Sequence, residues 1–66
     1  MITPRDDAVI IICSNLIMAG VLKEGEEAKQ IETLAGYDDI TLGLALVSSR
    51  CLLDMRYAKT AQAWRN

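Results

Sequence analysis

Two stretches of this chain, residues 8–22 and 40–53, are apolar on nearly every side of a helix, and this pattern constrains the fold more than any motif does. Neither stretch shows strand-like alternation, so an all-α chain is expected. At about 100° per residue, Ala8, Val9, Ile10, Ile12, Cys13, Leu16, Ile17 and Ala19 span more than half of the first helix. The remaining arc holds Asp7, Ser14 and Asn15, yet Ile11 and Met18 lie in its middle. The other stretch carries Leu42, Leu44, Leu46, Val47, Cys51, Leu52 and Leu53, relieved only by Ser48, Ser49, Arg50 and Asp54. A helix apolar all round normally sits at the centre of a large protein or in a bilayer.

Neither setting suits this chain. Its 66 residues are read as one helical domain, residues 1–66, of a size that buries only about 60% of its unfolded surface. Ala8 to Leu22 is broken by Ser14-Asn15 and falls short of the roughly 20 residues a membrane span needs. The preceding Arg5-Asp6-Asp7 is unlike the basic start of a signal peptide. A soluble, cytoplasmic protein without membrane insertion is expected.

Turn and cap chemistry predicts four helices. The first opens on Thr3-Pro4-Arg5-Asp6, where Thr3 caps, Pro4 suits the first helical position and Asp6 completes a Thr-x-x-Asp box. It stops at Gly20. The second runs from about Glu24 to Ala35 and stops at Gly36. Asp38-Asp39 announces the third, which extends to about Leu53, and a fourth covers about Met55 to Trp64. Because Leu53-Asp54-Met55-Arg56 contains neither Gly nor Pro, one continuous helix from Ile40 to Trp64 is the alternative.

The second and fourth segments are one-sided. Ala28, Ile31, Leu34 and Ala35 share one arc of the second, and Tyr57, Thr60, Ala61 and Trp64 share one arc of the fourth. Two one-sided helices cannot cover two all-round ones, and surplus apolar surface on a soluble chain marks an interaction site. Ile11 and Met18, with Ser14 and Asn15 beside them, form the first candidate face. A shared core is expected, supplied by a partner protein or by self-association.

Composition narrows the chemistry. The chain has no histidine and two cysteines, which rules out His-based catalysis and Cys/His zinc spacing. Ser48-Ser49 therefore has no base, and no enzyme activity, cofactor or metal is expected. Glu24, Glu26 and Glu27 read as first-turn acids facing a helix dipole, not as a ligand set. Cys13 and Cys51, each in an apolar segment, read as buried free thiols; a disulfide between them is the other possibility. Net charge is −2, with three basic against six acidic residues over 1–36 and four against three over 37–66. This balance argues against a nucleic-acid partner, and Arg50, Arg56, Lys59 and Arg65 are too dispersed to serve one groove.

Val47-Ser48, Cys51, Tyr57, Thr60 and Trp64 follow the small and large positions of a tetratricopeptide helix pair, and in the N-terminal half Leu16, Gly20 and the run Gly25–Ile31 are similar to the second helix of such a repeat. Through Leu16–Gly20, Glu26-Glu27-Ala28 with Ile31 and Leu34, and Leu46–Ser49 leading to Arg56–Ala61, the chain resembles the small TPR-like chaperones of bacterial type III secretion needle subunits, the YscG type. The resemblance implies about four short antiparallel helices in two TPR-like hairpins. It also implies a bacterial cytoplasmic chaperone that masks the apolar helix of a needle-type subunit before export, usually with a small helical co-chaperone packed on the first helix. By that analogy Ile11 and Met18 meet the co-chaperone or a second copy, while Leu42, Leu46, Ser49 and Trp64 face the client. Core packing is the leading role for each of these last four, ahead of the client face. The competing function is a small homo-oligomeric helical protein with a regulatory or structural role.

Overall fold

The computed structural model describes residues 3–65, with side chains described through residue 63. Among them lie three helices and no strand: α1 (Pro4–Met18), α2 (Glu27–Ala35) and α3 (Asp39–Arg65). Helix α1 begins as its cap chemistry requires. The Asp6 amide donates to Thr3 Oγ1 (3.1 Å) and the Thr3 amide to the Asp6 carboxylate (3.1 Å), closing a reciprocal capping box. It ends in a Schellman arrangement, in which the Gly20 amide donates to the Ile17 carbonyl (3.0 Å) and the Val21 amide to the Leu16 carbonyl (3.0 Å). Gly20 occupies the left-handed region there, at φ +79°, which costs a residue bearing a Cβ.

A β-turn over Lys23–Glu26, with Gly25 at φ +95°, leads into α2. That turn consumes Glu24 and Gly25, so α2 starts three residues later than the acidic cluster suggests. Asp38 caps α3, its carboxylate accepting from the Thr41 amide at 2.7 Å.

Four helices in two hairpins are not what the chain forms. The third and fourth segments are one helix of 27 residues, because nothing in Leu53–Arg56 interrupts the backbone. Arg50 and Asp54, an i,i+4 pair at 3.3 Å, bridge the place where the break was expected.

Helix α1 is the central element, packing on α3 along one side and on α2 along another. Arg5 reaches Asp39 and Asn15 reaches Ser49, each pair 34 residues apart. This constant offset means that α1 and α3 run parallel, with α2 as the return crossover. The core is correspondingly small: Val9, Ile12 and Cys13 from α1, Leu34 from α2 and Leu42 from α3, with Ala8, Leu16, Tyr37, Ala45 and Leu46 partly buried against it. Leu53 is buried as well. Of the arc expected to bury α2, only Leu34 does so; Ala28, Ile31 and Ala35 remain exposed.

Because α1 ends at Met18, α3 buries no residue beyond Leu53, although the Arg56 side chain still reaches back to the Gly20 turn. Every residue from Asp54 to Ala63 is exposed. The radius of gyration is 13.3 Å, against about 11 Å for a compact chain of this length. The projecting helix accounts for the excess and for a longest dimension of 45 Å.

Candidate interaction surface

Polar groups settle the registers of the helices before any apolar face is left over. Asn15 is 6% exposed and Ser49 2%. Asn15 Nδ2 donates to Ser49 Oγ (3.2 Å), and the Ser49 hydroxyl donates to the Leu46 carbonyl (2.9 Å). A buried donor without a partner is costly, so this pair holds α1 and α3 at one axial position.

Arg5 does the equivalent at the other end. Its guanidinium donates to the Ala35 carbonyl (3.2 Å), the Tyr37 carbonyl and the Asp39 carboxylate (2.7 Å). A cation is thereby placed on the unsatisfied carbonyls at the end of α2, where the helix dipole is negative. The cap hydrogen bonds from Thr3 hold the Asp6 carboxyl below the usual aspartate range, and those from Thr41 do the same for Asp38. Burial, and then the nearby Glu27 carboxylate, push the Cys13 thiol up. Cys13 is thus a protonated core residue, whereas Cys51, expected to be buried, is exposed; both are free thiols.

With these contacts made, the candidate residues separate. Ile11, Met18 and Ser14 are exposed on α1. Asn15, expected beside them, is turned inward to Ser49 because its amide has a buried partner there. Leu42 and Ser49, assigned to a client-facing groove, are core, and Leu46 is half-buried. They are used up against α1. The Trp64 side chain lies outside the described residues.

A further uncommitted apolar surface lies where no candidate was placed. Ile40, Leu44, Val47, Cys51 and Met55 are all exposed, Ile40 at 78%. They fall within about 80° of arc, diametrically opposite Leu42, Ala45, Ser49 and Leu53. Helix α3 thus carries two apolar stripes, one inside and one outside, and no charged residue stands on the outer one. The 4-3-4-4 spacing of these five residues is the signal that could have found it.

A second, smaller apolar feature is the groove between α1 and α2, lined by Val9, Ile10, Ile31 and Ala35 and closed at one end by Arg5 and Asp6. Among the described residues, no three acidic or cysteine side chains gather as a metal site. Nor is any described helix long and apolar enough to cross a membrane. No family model matches the chain, nor does any curated protein or solved structure.

Proposed function

We propose that this chain is a non-catalytic protein-interaction module that works by burying its exposed helical stripe against another apolar helix. The observation that carries this is the outer face of α3, a continuous apolar stripe about 22 Å long on a helix whose opposite face already holds the core. Surface of this kind on a small chain is occupied in the working state.

The sequence resemblance supplies a client class, the apolar helix of a needle-type secretion subunit held in a bacterial cytoplasm. Of the TPR-like architecture, the antiparallel α1–α2 pair is the part this reading retains. The projecting α3 stands where a second hairpin was expected, so capture by this chain uses a helix face and not a closed concave groove. A homo-oligomeric role is favoured by the same stripe, since an uncharged apolar seam is compatible with a copy of itself.

Size-exclusion chromatography with light scattering, on the chain alone and co-expressed with a needle-type subunit, tests the proposal. An assembly larger than a monomer is expected in at least one of the two. A monomer in both, soluble at high concentration, overturns it. Ile11→Glu with Met18→Glu is the matching test of the α1 face: loss of association with helicity retained assigns those residues to a partner, and complete unfolding assigns them to the core.

A further inference from the structure

We infer that α2 is a lid on α1. It opens as a unit, hinged at both ends, while α1 and α3 stay packed, and it sets how much of the apolar side of α1 is exposed.

Helix α2 is weakly attached. It is nine residues long and starts without a side-chain cap, a length that is marginal without support. Its least exposed residues are Glu27, Gln30 and Leu34, and of these only Leu34 is apolar. Among the described residues, Arg5 supplies the polar tie from another helix, by donating to the Ala35 and Tyr37 carbonyls at the C-terminal end. The N-terminal end is tied only to its own turn, where the Lys23 and Gly25 amides donate to the Glu26 and Glu27 carboxylates. That turn, with Gly25 at φ +95°, offers one hinge and Gly36 the other. Helices α1 and α3, by contrast, hold each other through Ile12, Leu42 and the buried Asn15–Ser49 hydrogen bond. A segment with one buried anchor belongs to the low end of local stability.

Beneath it lies half of an apolar face. Val9, Cys13, Ile17 and Ile10 fall within about 100° of arc on α1. Val9 and Cys13 are buried, whereas Ile10 is 51% exposed and Ile17 43%. Leu34 shares the core with Val9 and Cys13, and Ile31 and Ala35 line one groove with Val9 and Ile10. The edge of α2 therefore runs along the middle of this face. Opening uncovers Val9 and Cys13 and joins them to Ile10 and Ile17 in one strip. Arg5 is the latch, because its acceptors lie at the end of α2 and the start of α3.

The Cys13 thiol reports the opening. Its reaction with a neutral dipyridyl disulfide, separated from that of Cys51 by peptide mapping, is compared with the rate in the urea-unfolded chain at one fixed protein concentration. A lid should leave Cys13 at least about ten-fold less protected than global unfolding alone would, and low urea should change its rate little, because the opening exposes little surface. Arg5→Ala should speed the reaction about five-fold. Ser49→Ala weakens the α1–α3 contact instead and should change it by less than about two-fold. Hydrogen exchange of the unaltered chain is the second measurement: amides of residues 31–35 should exchange together, ahead of those of residues 9–16.

Cys13 reacting only as fast as global unfolding allows, with Ser49→Ala accelerating it as much as Arg5→Ala, would overturn the lid. So would a native rate equal to the unfolded one, since α2 would then shield nothing, or exchange of α1 and α2 amides at one common rate. What the α3 stripe binds enters none of these readouts, so the lid and the interaction-module reading are tested separately.

Discussion

Ser49→Ala removes one hydroxyl from the α1–α3 contact and almost no volume, which makes it the cleanest probe of how the two parallel helices are held in register. In the native chain the change leaves Asn15 Nδ2 without its acceptor at a position 6% exposed. An orphaned buried donor costs about 1–3 kcal/mol. Alanine's better helix propensity returns up to about 0.5 kcal/mol, so a net loss of about 1–2 kcal/mol is expected. That is a substantial part of the about 3–10 kcal/mol available to a chain this long.

The same substitution made in an Asn15→Leu background meets no orphaned amide and should be neutral or slightly stabilising. Urea unfolding followed by far-ultraviolet circular dichroism, at one fixed protein concentration because association adds to apparent stability, measures all four corners of the cycle. A coupling of about 1–2 kcal/mol between the two positions is the expected result. Equal costs of Ser49→Ala in the two backgrounds, within about 0.3 kcal/mol, would refute the claim that this pair carries the register.

Three further outcomes follow from the caps and the clamp. Arg5→Ala frees the Ala35 and Tyr37 carbonyls and Asp39 at a partly exposed site; it should cost about 1 kcal/mol and speed amide exchange selectively around residues 36–41. Asp6 and Asp38 have native pKa values below their unfolded ones, so their contribution is complete above the unfolded aspartate range and disappears as pH falls through the lowered native values; melting curves from about pH 5 to pH 2 should show this loss, and Asp38→Asn should flatten it. Gly20→Ala and Gly25→Ala both force a Cβ into positive φ and should each cost about 1 kcal/mol. The Arg56 guanidinium that a Cβ at Gly20 would meet is the free end of an exposed, flexible side chain that can swing aside, and Gly25 faces open space, so the two melting temperatures should fall by similar amounts; no loss at either position would contradict the positive-φ turns.

Local chemistry was readable in the sequence wherever a backbone end had to be satisfied. Thr3, Gly20, Gly36 and Asp38 marked the helix ends because each supplies what a terminus lacks. The identity of the buried face was not readable, for a physical reason: with apolar residues on opposite sides of α3, no single direction stands out, and only the partner helix selects Leu42 and Leu53 over Leu44 and Met55. Asn15 misled for a related reason. An isolated polar residue on an apolar helix points outward unless another polar group waits inside, and that group, Ser49, lies 34 residues away. Arg5 likewise looked like part of a cap, and its work as a clamp depends on carbonyls more than 30 residues distant.

The unsupported half of α3 has a consequence for how the helix holds together. A free peptide of about a dozen residues is a marginal helix in water, because nucleating the first turn is unfavourable while each added residue gains little. Residues 54–63 avoid that barrier only because Leu42–Leu53 are already wound against α1 and serve as the nucleus. Helicity in the projection is therefore inherited from its base, and it should unwind from the free end inward as temperature rises. Amide protection should fall steadily past Leu53 in a dissociated chain, whereas a second copy laid along that half would turn the slope into a plateau.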